Sequence, residues 1–193
     1  MKLISTFILF LPLSFLFAQN ITSENALTNL LKLDLGLRGV SVSFEPRLGK
    51  RMSLDLSTGL GGGYNISSNS FEYKWDFLDP AIFVIVNPKF YYNLKKRIGK
   101  GKDISRNSGN YIGAVIKYTS KGLSESPGVW DALLFNLHWG MQRPIGKRWT
   151  FNTHVGLGYA IDAVDLNNSS GSFYPATDVR FAYVLNYKKT IKH

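Results

Sequence analysis

His138 and His154 are the residues of this chain best suited to acid–base or metal chemistry, because imidazole is the one side chain whose unperturbed titration falls near neutral pH. Each sits where polar and apolar residues alternate, in Leu137-His138-Trp139 and Thr153-His154-Val155. Both therefore belong to the polar face of a strand. If the intervening turn runs from Arg143 to Arg148 and Gln142 opposes Thr150, His138 lies directly opposite His154, with Cβ atoms about 4.5–5.5 Å apart. Such a pair can share a proton, hydrogen-bond Asn136 and Asn152, or offer two nitrogens to a metal. A metal needs further ligands and a second shell, and the sequence supplies neither. The expectation is a structural polar pair, with no catalytic, cofactor or metal-ligating residue assigned.

Other chemistry is thinly represented. There is no G-x-S-x-G, H-E-x-x-H, Walker or dinucleotide pattern. Gly59 to Gly63 is glycine-rich but lacks the following helix that a phosphate site uses. Cysteine is absent, which excludes disulfides and thiolate metal sites. The acids Glu72, Asp76, Asp79, Glu125, Asp131, Asp162 and Asp165 show no cation-loop spacing and read as solubilising loop residues. The run from Lys95 to Lys102 resembles a nucleic-acid patch. Its simpler reading is a solvated turn at phospholipid headgroups, and the formal charge of +10 is no argument for nucleic acid.

The remaining charged residues with a defined environment are Lys32, Asp34, Glu45, Asp55, Lys89, Lys117, Asp178 and Arg180. Each falls on the polar face of a stretch with period-two alternation, and the two signs are equal in number. Eight such stretches recur, all but the second about as long as a tilted membrane strand of roughly 9–11 residues. They run about Ala26 to Leu35, Val40 to Glu45, Met52 to Leu60, Ile82 to Tyr92, Tyr111 to Thr119, Leu133 to Gln142, Trp149 to Tyr159 and Asp178 to Tyr187. The fourth has the least polar second face. An even number of strands with one apolar face predicts an all-β fold, an eight-stranded antiparallel up-and-down transmembrane β-barrel, since an open sheet would leave edge amides unpaired in lipid.

A lipocalin-like barrel with an apolar interior also fits alternation alone. The small residues on the polar face suit a narrow filled lumen. Aromatic residues gather at both ends of the apolar face: Phe44, Tyr92, Trp149 and Tyr187 at one, Tyr118, Trp130 and Tyr159 at the other. These favour the membrane form. The charges that face each other inside then predict a cross-linked plug containing the eight residues above with His138 and His154, rather than an open pore.

Residues 1–18 read as a signal peptide, with Lys2 as a minimal n-region, an apolar run from Leu3 to Phe17, and Ala18 before cleavage at Gln19. Residues 19–193 form the outer-membrane barrel domain. The segment Gly49-Lys50-Arg51-Met52-Ser53-Leu54-Asp55 recurs 97 positions later as Gly146-Lys147-Arg148-Trp149-Thr150-Phe151-Asn152, as if one strand-turn-strand device were used twice. Short basic turns at that end and long acidic connections at the other, Gly62 to Pro80, Ser120 to Trp130 and Ile161 to Pro175, place the turns in the periplasm. Gly36 to Gly39 is a short exception among the outer loops, and Leu94 to Asn110 a long inner connection.

The leader ending Phe17-Ala18-Gln19, together with Asn87-Pro88-Lys89-Phe90-Tyr91-Tyr92, Pro144-Ile145-Gly146-Lys147-Arg148 and Gly156-Leu157-Gly158-Tyr159, resembles the small outer-membrane protein β-barrel domains of Bacteroidetes-type bacteria, with an OmpX/OmpA-like eight-stranded fold. The resemblance implies insertion by the barrel-assembly machinery, with Phe181, Tyr183, Leu185 and Tyr187 as the terminal signal, although six residues follow Tyr187. It supplies a location rather than a chemistry; the expected surroundings are outer-membrane lipids, and the expected state is a monomer without a cofactor. The expected role is structural or surface-interacting. The alternatives are a small pore or ligand carrier, then a lipid-modifying enzyme that uses His138 or His154.

Overall fold

The computed structural model describes residues 27–67, 70–76, 78–123, 129–163 and 171–186. The leader, Ala26, Glu125, Asp165, Tyr187 and the tail lie outside them. In chain order the elements are β1 (Leu30–Gly36), β2 (Gly39–Glu45), β3 (Met52–Gly61), β4 (Gly63–Ser67), β5 (Ser70–Lys74), β6 (Ala81–Tyr91), α1 (Leu94–Gly99), a 3-10 turn (Ser105–Asn107), β7 (Gly109–Gly122), β8 (Ala132–Ile145), β9 (Trp149–Asp162) and β10 (Gly171–Val184). Eight of the strands close into an antiparallel barrel in the order β1-β10-β9-β8-β7-β6-β3-β2, while β4 and β5 form a separate hairpin.

The alternation sets which way each side chain points, because successive Cβ atoms face opposite sides of a strand. Leu33, Leu35, Val40, Val42, Ile112, Ile116, Leu137, Val155 and Leu157 are exposed on the outer surface. Their neighbours Lys32, Asp34, Ser41, Ser43, Lys117, His138 and Asn152 are buried inside. The fourth barrel strand, β6, follows the expected phase: Phe83, Ile85, Asn87, Lys89 and Tyr91 point inward. On the outer face, Trp139 Nε1 donates to the Tyr92 hydroxyl at 2.6 Å, and Trp149 meets Tyr183 edge-on at 5.3 Å. Tyr159 meets Phe173 at 5.0 Å at the opposite end.

Several connections differ from expectation. β10 starts at Gly171 rather than Asp178, so the strand includes Pro175 and the preceding outer connection is shorter. Pro175 pairs in register with Leu157 on β9, while the other edge of β10 above Val179 has no strand beside it among the described residues. Proline is tolerated there because its missing N–H falls on a free edge. The Gly62–Pro80 connection is not plain loop but carries the β4–β5 hairpin. The basic run folds as α1, with Leu94 turned inward. The two repeated turns lie at the same barrel end yet differ. β8 and β9 join through the three residues Gly146 to Arg148, with Gly146 at φ 54°, whereas β2 and β3 are joined by a longer turn carrying an Arg47–Ser53 bridge.

Candidate functional site in the barrel interior

The centre of the lumen is an ion network. Glu45 accepts from Lys32 Nζ at 2.6 Å, from Ser53 Oγ and Tyr91 Oη at 2.9 Å each, and from Asn107 Nδ2 at 3.1 Å. Asp55 Oδ2 accepts from Lys89 Nζ at 2.7 Å and Arg180 Nη2 at 2.5 Å, with Lys32 Nζ at 3.6 Å. Arg180 also lies 3.8 Å from Asp34 and 3.9 Å from Asp178. All these charged side chains are almost fully buried. Charges removed from water need opposite partners and hydrogen bonds to be tolerated. Their convergence from β1, β2, β3, β6 and β10 supplies the opposite partners, with hydrogen bonds at Glu45 and at Asp55 Oδ2. Asp34 and Asp178, by contrast, meet Arg180 as ion pairs without a hydrogen bond among the described residues.

Arg38 changes the expected balance of charge, and Lys117 the expected pairing. Arg38, at the tip of the β1–β2 turn, folds its guanidinium inward to 4.0 Å from Asp178, with its side chain 11% exposed. The sequence placed it in an outer loop, since nothing in a two-residue turn signals which way its side chain points. Lys117 stands apart from the network. It donates to the Tyr64 hydroxyl at 2.9 Å and lies 4.8 and 4.9 Å from the ring centres of Tyr64 and Phe83, with no carboxylate within 4.0 Å among the described residues. Burial raises the Tyr64 phenol well above its ordinary value, so it meets Lys117 as a neutral hydroxyl.

The histidines meet by a different register from the one the sequence suggested. Gln142 opposes Asn152, not Thr150, so Gly140 faces His154 and His138 faces Gly156. β8 runs to Ile145 and the turn is shorter than six residues, which moves the pairing by two. Both imidazoles still enter the lumen from adjacent strands, and on the diagonal they stack with centroids 4.1 Å apart. His138 Nδ1 lies 2.8 Å from Asn136 Oδ1, and Tyr111 presents its ring to His138 at 90°. Asn152 bonds to Tyr111 and Gln142 instead. Among the described residues no group of three or more His, Asp or Glu is arranged to hold a metal.

Sequence reasoning missed both ends of the lumen. The floor, on the side of the short turns, is a cluster of Leu27, Tyr91, Leu94 and Tyr111. Asn107 is buried beside it, and Arg106 Nη2 donates to Gly146 O at 3.1 Å. The one available signal was Asn107 itself, a residue type that tolerates the left-handed conformation it adopts. The roof is the β4–β5 hairpin. Tyr64 and Ile66 pack on Leu134, Ala160 and Ala176, and Phe71 stacks on Tyr174 at 4.5 Å. The Tyr73 hydroxyl and Trp75 Nε1 both donate to Leu37 O, at 3.0 and 3.1 Å. Tyr64 and Ile66, like Phe71 and Tyr73, alternate with polar neighbours, a strand signal that the reading of Gly62 to Pro80 as a loop passed over.

Under this roof lies a cavity of about 680 Å³. Its inner wall carries Ile85, Val115, Lys117, Leu134, His154 and Asp178, and its outer mouth is framed by Leu35, Leu37, Val40 and Pro175. No protein-family model matches the chain, and no curated protein matches it. The geometry alone therefore carries the functional reading.

Proposed function

We propose that this protein is an integral outer-membrane β-barrel, delivered by a cleaved leader and inserted as a monomer by the barrel-assembly machinery, whose role is structural or surface-interacting rather than catalytic. The observation that carries the reading is the outward band of exposed Leu, Val, Ile and Phe between aromatic residues, wrapped around an interior of buried charge. A water-soluble barrel would bury the opposite face. An apolar band flanked by aromatic girdles matches the hydrocarbon and headgroup layers. The non-catalytic reading rests on the histidines. They stack on each other, and neither is bonded to a hydroxyl or carboxylate, so the nucleophile–base–orienter geometry of a hydrolase is not assembled among the described residues.

The test is fractionation of cells making the full chain. The mature protein is expected to start near Gln19, to require detergent for extraction, and to shift on a gel between boiled and unboiled samples. Recovery as a soluble periplasmic monomer contradicts the reading. A second reading, a carrier of a small lipophilic ligand, is favoured by the cavity beneath the roof.

A further inference from the structure

The barrel wall has a step in it. Beside the β1–β2 turn, β10 pairs with β1 only as far as the Gly36–Arg180 pair, and Leu37 N makes one more bond, to Val179 O. From Gly171 to Asp178, β10 then rises with β9 on one side and no strand on the other among the described residues. The step lies within the apolar band. Pro175 is register-paired with Leu157 and Thr177 with Val155, both on the turn side of the Tyr159–Phe173 pair. Leu35, Leu37, Val40, Leu157 and Val155 are more than half exposed around it. The cavity opens through this step, because Leu35, Val40, Pro175 and Thr177 of the outer surface border the same space as Lys117 and His154 of the lumen.

Apolar and charged parts of this space are segregated. The step and the ring faces of Phe71 and Tyr174 make its outer portion. Deeper in, the Arg38 guanidinium and the Lys117 amine border the same space as the single carboxylate of Asp178, which also lies 3.9 Å from Arg180. Nε and Nη2 of Arg38 meet no acceptor among the described residues. A buried amine with no carboxylate partner, beside a guanidinium with unmet N–H donors, is matched by an acid that can give the amine its proton and accept from both. The volume falls within the roughly 300–1,000 Å³ of small-molecule sites.

We propose that the cavity binds one long-chain carboxylate, taken laterally from the hydrocarbon through the step beside β10. Its head meets Lys117 and Arg38, and its chain lies along Tyr174 and out between Leu35 and Pro175. The lateral route rests on the membrane reading above, whereas the site itself does not.

Native mass spectrometry of the full barrel released from non-ionic detergent, titrated with palmitate and with methyl palmitate, tests this. One saturable palmitate per barrel is expected, with the methyl ester at least tenfold weaker. Lys117→Met is expected to weaken palmitate at least tenfold and Lys117→Arg to retain it, the folded state of each being checked by its gel shift. Palmitate carrying a terminal diazirine should cross-link wild-type protein at peptides containing Leu35 or Pro175, which needs no variant. Equal binding of acid and ester, unsaturable stepwise adducts, an unchanged Lys117→Met barrel, or cross-links confined to other outer-surface peptides would each overturn the proposal. If the barrel proves soluble without detergent, the membrane reading fails, and the same titration in plain buffer still decides the site.

Discussion

Arg180 on β10 reaches across the lumen to Asp55 on β3, 125 residues earlier in the chain, with Nη2 2.5 Å from Oδ2. The same oxygen accepts from Lys89 on β6, so one carboxylate ties three strands. A buried ion pair adds little over a well-packed apolar pair, but losing one partner strands the other charge in a dry interior. The network therefore acts chiefly as a requirement for a correct register, since a one-residue slip would turn every charge toward the apolar outside.

Removal of Asp55 measures this requirement. Asp55→Ala leaves Arg180 and Lys89 facing each other without their shared acceptor and should cost about 3–5 kcal/mol. The control is Lys74→Ala, which removes a roof ion pair to Glu72 at 3.7 Å with both partners well exposed, and should cost no more than about 1 kcal/mol. Urea unfolding followed by the folded-to-unfolded gel shift compares them. Equal losses would show that Arg180 and Lys89 do not depend on Asp55 for a counter-charge.

A lumen filled by ion pairs in the middle and closed by Tyr91, Tyr111, Leu27 and Leu94 at one end leaves no continuous water path. Wild-type protein in planar bilayers should give no reproducible conductance steps. Steady open currents at low voltage would move the pore reading ahead of the one proposed.

The barrel was legible in the sequence because its two faces differ so sharply. Lys32 and Asp34 between Leu31, Leu33 and Leu35 leave only one phase for β1, and the same holds for Lys117 between Ile116 and Tyr118. The eight charged residues predicted inside are inside, as are both histidines. Registers and ends were less legible. Alternation fixes the face but is indifferent to a shift of two, which is the error made at His138 and His154. Pro175 looked like a strand boundary because proline's lost N–H matters only where a neighbour is present, and the free edge of β10 is a property of the closed barrel rather than of the local sequence. The inward turn of Arg38 depends on Asp178, far along the chain, and has no local pattern, whereas the roof hairpin carried one, the alternation of Tyr64, Ile66, Phe71 and Tyr73 with polar neighbours.

The stacked histidines depend on a neighbour without a side chain. A Cβ at Gly113 would lie 2.5 Å from His138 Nε2 and 2.9 Å from Asn87 Oδ1. Gly113→Val should therefore displace the His138 ring and destabilise the barrel by about 1–3 kcal/mol, the usual cost of overpacking. Gly49→Ala, where nothing lies within 4 Å, serves as the comparison and should be close to neutral. The readouts are the midpoint of heat unfolding and the imidazole resonances of His138. An unmoved resonance in Gly113→Val would contradict the contact.

The Tyr73 phenol makes two of the hydrogen bonds that tie the roof to the barrel rim. Tyr73 Oη donates to Leu37 O and accepts from Gly62 N at 3.2 Å. Tyr73→Phe keeps the ring packing against Tyr64, whose centroid lies 5.2 Å away, but loses both bonds, about 1 kcal/mol each. Because the loss falls on a peripheral hairpin, global unfolding should barely change while local opening increases. Trypsin should cut after Lys74 several-fold faster than in wild type. Unchanged cleavage would mean that the Tyr73 hydroxyl is dispensable, the aromatic packing and the Trp75 and Lys117 bonds holding the hairpin without it.

Asn107 in the floor combines two demands that substitution can separate. It sits at φ 56°, in the left-handed region. Its side chain bridges the chain entering β1 and the ion network: Oδ1 accepts from Thr28 N at 2.8 Å, while Nδ2 donates to Thr28 O at 3.0 Å and to Glu45 Oε1 at 3.1 Å. Asn107→Ala loses these bonds and adds left-handed strain of roughly 1–2 kcal/mol. Asn107→Gly loses the same bonds without the strain, because glycine takes positive φ freely. Asn107→Asp keeps an acceptor for Thr28 N but sets a second carboxylate against Glu45 in a buried site, where like charges repel strongly. The expected order of thermal midpoints is wild type, then Gly, then Ala, with Asp lowest at neutral pH. Ala at or above Gly would dismiss the strain, and Asp at or above Ala would show that Glu45 does not hold its charge next to this side chain.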